Sequence, residues 1–324
     1  MMNSMLGALV GDAAGATLEF CRCPVTEEMA LNSMKMPGGG NIRAGPGQIT
    51  DDGELTLTLW HSLNSFETSN VPPILTLMKG YKNWYDSFPF DIGRTCSLAF
   101  DTISDFLNEQ HIYTLQGCKD IINKLNEGSE ANGALMRATA IATWIAKMST
   151  PDIEMGVNCA KEDARLSHPS IVCQDVNAIY VFTIINLLQG KSPEETLVVT
   201  DEFVDSENIT SEKVKYWYFE ESLDITEMNA TQQIGHVRWG FVMAMYFLRH
   251  PEINYEEAIK ITLMKGGDTD TNAAIVGGLV GAYHKIPEYM LRPVLDFDCT
   301  TKGRHHKRPA EYSVKKVIGH LIQS

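Results

Sequence analysis

Gly7-Ala8-Leu9-Val10-Gly11-Asp12-Ala13-Ala14-Gly15 carries a glycine at every fourth position, and Gly277 and Gly281 repeat that spacing near the other end of the chain. Four residues is close to one helical turn, so each set lies along one side of a helix and leaves it without side chains. Another backbone can approach closely there. Two such helices crossing at the centre predict a compact, mainly helical core.

The rest of the chain reads the same way. Leu135, Ala138, Thr139, Ala142, Ile145 and Ala146 form an apolar stripe at helical spacing. Segments near 93–108, 114–126, 152–166, 193–204, 233–249, 255–264 and 311–323 also read as helices, with Pro72, Pro73, Pro89, Pro151, Pro169, Pro193, Pro251 and Pro287 where helices start or stop. Two segments stay open on periodicity alone. Val176–Leu188 is apolar nearly all round, as a central buried helix is, but its β-branched content also allows a strand. Leu55-Thr56-Leu57-Thr58-Leu59 alternates as a half-buried strand does, whereas a helix would align Leu55, Leu59 and Leu63. No repeat or linker divides the chain, so a single domain over residues 1–324 is expected.

Of 324 residues, 27 are Lys or Arg and 41 Asp or Glu, a net charge of −14 that argues against a nucleic-acid backbone as partner. Eleven acids and two lysines between Glu194 and Glu227 read as a solvated face. The run Lys302, Arg304, His305, His306, Lys307, Arg308 reads as a basic loop, with an anion contact as its functional alternative. Seven scattered cysteines, an odd number, fit reduced thiols. The apolar N-terminus has no Lys or Arg before Arg22 and is interrupted by Asp12, which argues against a signal sequence. Apolar runs such as Ala273–Tyr283 fall short of the roughly 20 residues that span a bilayer. A soluble cytoplasmic monomer with no membrane partner is the expectation.

Two acidic clusters stand about 215 positions apart: Gly47-Gln48-Ile49-Thr50-Asp51-Asp52-Gly53-Glu54 and Gly266-Gly267-Asp268-Thr269-Asp270-Thr271-Asn272. Each sits between a glycine-rich turn and an apolar helical segment. Helix capping explains one or two oxygens per cluster, through Asp51 with Glu54 and through Asp268 or Thr269. It does not explain four aspartates and two threonine hydroxyls. If the turns meet, their repulsion calls for a cation, and hard oxygen ligands suit Mg²⁺ or Mn²⁺ rather than Zn²⁺. The carboxylates suffice to bridge two ions about 3.5–4 Å apart. Spacing alone cannot bring the clusters together.

Six segments, in order along nearly the whole chain, resemble those of the ADP-ribosylglycohydrolase family. They are Gly7–Gly15 with Glu19, Thr50-Asp51-Asp52, Phe90-Asp91-Ile92-Gly93, Asn132-Gly133-Ala134-Leu135-Met136-Arg137, Leu166-Ser167-His168-Pro169 and Gly266–Thr271. The resemblance implies an all-α, compact orthogonal helical bundle, with the segment after Asp52 helical. It further implies that Thr50, Asp51, Asp52, Asp268, Asp270 and Thr271 hold a binuclear Mg²⁺ centre that orients the ribose diol of ADP-ribose and activates water. Glu19 would border the metals as a ligand or acid/base group, and Asp91 would act near the scissile bond, although it equally suits a cap on the helix from Gly93. Gly128, Ser129, Asn132, Gly133 and Gly267 would face the ADP-ribose, the first four at its diphosphate, while Asn132 also suits a helix cap. His168 would line the adenosine side. Arg137 suits an anion contact or a loop anchor. At Gly53 many family members carry Thr or Ser instead.

The implied activity is Mg²⁺-dependent hydrolysis of the bond between ADP-ribose and a protein side chain or small acceptor. The alternatives are a crystallin-like structural member of the fold, a non-catalytic ADP-ribose binder, and another two-metal hydrolase such as a phosphohydrolase.

Overall fold

The computed structural model describes residues 2–65, 72–108, 114–301 and 305–322. Along them run α1 (Asn3–Gly15), α2 (Glu27–Ser33), α3 (Asp51–Asn64), α4 (Ile74–Asp86), α5 (Arg94–Asn108), α6 (Leu115–Leu125), α7 (Thr139–Ala146) and α8 (Ile153–Arg165). There follow α9 (Ile171–Leu188), α10 (Pro193–Asp205), α11 (Glu212–Phe219), α12 (Val237–Arg249), α13 (Tyr255–Met264), α14 (Thr269–Val280), α15 (Glu288–Asp296) and α16 (Val314–Ile322). Among the described residues there is no β-strand, and the all-α expectation holds.

The glycine pattern does what its spacing implies. A Cβ on Gly7 would lie 2.1 Å from the Gly277 carbonyl oxygen, one on Gly11 2.0 Å from that of Ala273, and one on Gly15 2.4 Å from the Asp270 Cα. Helices α1 and α14 therefore pack backbone to backbone and antiparallel. Hydroxyls fasten the pair: Ser4 Oγ donates to the Gly278 carbonyl at 2.6 Å and Thr269 Oγ1 to that of Gly15 at 2.8 Å. Tyr255 Oη, from α13, donates to the Gly7 carbonyl at 2.6 Å. Because the register is antiparallel, the C-terminal end of α1 meets the N-terminal end of α14.

Both open segments are helical. In α3 the alternation reflects burial on both sides, since Leu55, Leu57, Leu59, Thr56 and Thr58 are all buried. The threonines tolerate this because Thr56 and Thr58 donate to the carbonyls of Asp52 and Glu54, four residues back, at 2.9 and 2.8 Å. Helix α9, at 18 residues, is long and apolar enough to cross a membrane by length and composition, yet 83% of it is buried among other helices. Its Asn177, Thr183 and Asn186 use the same four-back bonds.

Some boundaries move. The helix anticipated over 233–249 begins only at Val237, because Gln233 (φ 46°) and Gly235 (φ 79°) are left-handed. The stripe from Leu135 begins as turns and becomes α7 at Thr139. In the segment 311–323 the helix covers 314–322, and residue 323 lies outside the described residues. Helices α2, α4, α11 and α15 had not been anticipated; α15 even contains Pro293.

Candidate functional site

Asp12 faces the start of α3 from the last turn of α1. Its carboxylate accepts from the amides of Thr50 (3.0 Å) and Gly53 (2.9 Å) and from the Thr50 hydroxyl (2.8 Å). This long-range cap satisfies two of the amides that a helix N-terminus leaves open. Gly53 is accounted for as well: a Cβ there would stand 2.6 Å from Asp12 Oδ2 and 2.7 Å from Ile49 Cβ. With α1 pinned to α14 and Asp12 pinned to α3, the two acidic clusters meet.

Glu19, Asp51, Asp52, Asp91, Asp268 and Thr271 line one cleft of about 330 Å³, together with Asn132, Gly133 and His168. Asp12 and Asp270 lie buried beside them. Carboxylate oxygens of Asp12, Asp52 and Asp270 lie within 4.8 Å of one another, and so do those of Glu19, Asp91 and Asp270. Asp270 belongs to both groups. Thr50 and Thr271 both turn their hydroxyls to Asp52 Oδ2, at 3.0 and 3.3 Å. Asn132 Nδ2 donates to Asp268 Oδ2 at 2.7 Å, fixing one more acid.

Asp12 apart, capping does not account for the acids of the two turns. Thr50, not Asp51, is the N-cap of α3, and the Asp268 side chain makes no capping bond to α14. Glu54 is taken by Arg308, whose Nη2 lies 2.6 Å from Glu54 Oε2, and by the indole of Trp84 at 2.8 Å. Burial pushes Asp12 up to about 7. It also pushes Glu19 up to about 9, with help from Asp91, Asp268 and other neighbouring acids. Asp51, Asp52, Asp91 and Asp270 are raised for the same first reason, desolvation. Among the described residues, Glu19 Oε2 and Asp52 Oδ1 are buried without a hydrogen-bond partner. Buried carboxyl groups held this close, with orphaned oxygens, fit the hard-oxygen ligand set of a divalent cation.

Not every anticipated residue reaches the cleft. Gly128 is exposed, and neither it nor Ser129 lines the cavity; Ser129 Oγ instead pairs with Thr95 Oγ1 at 3.1 Å. Gly267 is a close-approach glycine, since a Cβ there would meet the Ala230 carbonyl oxygen at 2.1 Å, and its own carbonyl holds the Phe20 amide at 2.9 Å. Asn132 caps no helix with its side chain, because α7 starts seven residues later. The loop from Gly128 therefore does not sit on a helix N-terminus.

Arg137 is an anchor. It is fully buried, donates from Nε to Asp163 Oδ2 at 3.0 Å and from Nη1 to the Gly133 carbonyl at 3.1 Å, and lies over the Tyr81 ring. Its Nη2 donates to Ser167 Oγ at 2.9 Å, and that hydroxyl pairs with His168 Nδ1 at 2.9 Å. Burial and the Arg137 charge hold His168 neutral, its pKa pushed down to about 3. Two members of the basic run, His305 and Arg308, are likewise structural, whereas His306 and Lys307 are exposed. Arg308 is buried on Glu54, and the His305 ring stacks on Phe90 at 4.4 Å, next to Asp91. Lys302 and Arg304 lie outside the described residues.

Asp12 is the acid of this cluster that the sequence does not single out. Its signal was an acid inside a small-residue helix that packs too tightly to leave it solvent.

The ADP-ribosylglycohydrolase family model matches residues 1–312, so the chain belongs to that family. It is 26% identical, over 94% of its length and 93% of the relative's, to a protein of Acanthamoeba polyphaga mimivirus named for the same family. It is 27% identical, over 89% and 86%, to the ADP-ribosyl-[dinitrogen reductase] glycohydrolase of Rhodospirillum rubrum. A solved structure described as an ADP-ribosylglycohydrolase-related protein complex shares the fold, with a TM-score of 0.69, 22% identity and 90% of each chain covered.

Proposed function

We propose that this protein hydrolyses the glycosidic bond between ADP-ribose and an acceptor on a protein or small molecule, using two Mg²⁺ ions held by the acidic cleft. The observation that carries this reading is the pair of orphaned buried oxygens, Glu19 Oε2 and Asp52 Oδ1, within a cluster of acids that share Asp270. Thr50, Asp51, Asp52, Asp268, Asp270 and Thr271 are the ligands we assign, with Asp12 holding them in place. When bound, the ions would supply charge that orients the ribose diol and acidifies a water; Mn²⁺ has the same ligand preference.

The protein's own groups divide the remaining work. Asn132 and Gly133 border the nucleotide side of the cleft, and His168, neutral at physiological pH, presents an uncharged edge there. Water adds at C1 of the ribose as the bond to the acceptor breaks, and the electron pair leaves with the acceptor atom. Glu19, which lines the cleft beside the assigned ligands, is the group we place to deliver a proton to the leaving atom. Asp91 takes the proton that the water loses. Carboxylates beside the ring stabilise the oxocarbenium character at C1.

The test is calorimetric titration of Mg²⁺ and Mn²⁺ into wild type and Asp52→Asn, alongside release of ADP-ribose from arginine-linked, serine-linked, polymeric and acetylated substrates. We expect two-site binding and metal-dependent release in wild type, with both impaired in the variant. Metal-independent release would overturn the assignment, and no release from any substrate would favour the binding protein.

A further inference from the structure

Cys21 and Cys23 stand apart from the other cysteines. Cys21 is half-buried and Cys23 exposed, whereas Cys96, Cys118, Cys159, Cys173 and Cys299 are buried. Burial pushes the Cys96 and Cys173 thiols up to about 12 and those of Cys118 and Cys299 up to about 11, and it raises Cys159 as well. Protonated and enclosed, those five are inert. The sulfurs of Cys21 and Cys23 lie 3.2 Å apart, and both residues line a groove of about 620 Å³ through which a small reagent reaches them.

The fold holds the two sulfurs together. Before them, the Phe20 amide donates to the Gly267 carbonyl and the Cys21 amide to that of Leu18, both at 2.9 Å, and Asn41 Nδ2 donates to the Glu19 carbonyl at 2.8 Å. After them, Thr26 Oγ1 caps α2 by accepting from the Met29 amide at 3.2 Å. Residues 21–25 run between these anchors outside any helix. A short segment pinned at both ends keeps its side chains within reach of one another, which is what lets neighbouring groups react as one unit.

A structural zinc site would need four such ligands. Among the described residues, no histidine, acid or further cysteine gathers with this pair into a ligand cluster. Two thiols in contact, open to solvent and without a third ligand, are instead the parts of a dithiol/disulfide couple. Cys23 holds its proton above the ordinary thiol range because its bond to Cys21 and the charge there oppose the loss, so the pair gives up one proton before the other.

We propose that Cys21 and Cys23 form a reversible oxidation site, a dithiol that hydrogen peroxide closes to a disulfide and low-molecular-weight thiols reopen. One thiolate sulfur attacks a peroxide oxygen; the O–O bond breaks, leaving a sulfenic acid and a hydroxide that recovers the attacking thiol's proton as water. The neighbouring sulfur then attacks the sulfenic sulfur. The S–O bond breaks as the S–S bond forms, and the second thiol's proton leaves with the oxygen as a second water. The dithiol has lost two electrons and the peroxide has gained them. Two molecules of a thiol such as glutathione reverse the closure through a mixed disulfide and are themselves oxidised to a disulfide.

The test counts reactive thiols on the folded chain with N-ethylmaleimide and intact-mass spectrometry, before peroxide, after it, and after added glutathione. Electrophoresis without reductant shows whether chains have become linked. We expect wild type to take two labels at first, none after peroxide with a mass lower by about 2 Da, and two again after glutathione. Cys21→Ser and Cys23→Ser should each take one label and lose that mass decrease, gaining oxygen or linking chains instead. Wild type that keeps both labels after peroxide would overturn the site. So would oxygen gain that glutathione does not reverse, a bond formed between chains rather than within one, or a mass decrease that either serine variant retains.

Discussion

Thr50 presents both its amide and its hydroxyl to the carboxylate of Asp12, at 3.0 and 2.8 Å, across 38 residues of chain. This contact seats α3 on α1 and aims Asp51 and Asp52 at the start of α14. Asp12→Ala leaves the Thr50 and Gly53 amides buried without acceptors, at about 1–3 kcal/mol each. Urea unfolding should show a loss of about 2–6 kcal/mol, with Asp12→Asn milder because its amide oxygen still accepts.

The carboxylate cluster makes stability depend on pH and cation together. Its folded-state pKa values lie above the unfolded ones, about 7 for Asp12 and about 9 for Glu19. The sign follows from proton linkage: these groups contribute full stability below about pH 4, and it is lost as pH rises through the folded values. Without divalent cations, the unfolding midpoint should fall between about pH 5 and about pH 9. Millimolar Mg²⁺ should raise it, and more at the alkaline end, because the cation binds the ionised native form. A midpoint indifferent to Mg²⁺ at pH 8 would contradict the ligand assignment.

His168 gives the opposite slope. Its folded pKa is pushed down to about 3, below the ordinary 6.5, so its contribution is full above about pH 6.5 and shrinks as pH falls toward 3. At pH 5 the loss is about 2 kcal/mol. His168→Gln should remove that part of the acid sensitivity, seen as a flatter unfolding profile between pH 7 and pH 5.

Arg308→Met strands Glu54, which is buried between the guanidinium and the Trp84 indole. Breaking a buried pair from one side costs about 3–5 kcal/mol. The double variant Glu54→Met/Arg308→Met should recover part of the loss in chemical denaturation. Full additivity of the two single losses would show that the pair is not coupled.

Gly11→Ala puts a Cβ 2.0 Å from the Ala273 carbonyl oxygen, with only backbone to yield. Parting α1 from α14 should cost about 3 kcal/mol or more. It should also weaken Mg²⁺ binding, because Asp12 and Asp270 separate with the helices; titration of the folded fraction checks this.

The all-helical class, the α1–α14 crossing and the acidic clusters were legible in the residues themselves. Glycine spacing and apolar periodicity are local properties, and a Cβ that must be absent leaves its mark in the chain. The period-two reading of Leu55–Leu59 stayed open for a physical reason: a segment buried on both sides shows no polar face by which to choose its period. Of the four helices not anticipated, α2, α11 and α15 have only seven to nine residues, and helices that short depend on packing more than on propensity.

The site divides along the same line. Residue types and spacing indicate that hard oxygen donors are gathered in two turns, but they do not show that the turns meet, because no local rule links positions 215 apart. That depends on the α1–α14 register and on the Asp12 cap, both of which are tertiary. Tertiary structure alone also turned Arg137 and Arg308 into buried anchors and withdrew Gly128 and Ser129 from the cleft. A side chain's chemistry is written in its identity, whereas its role depends on what desolvates and pairs it, and distant parts of the chain supply both.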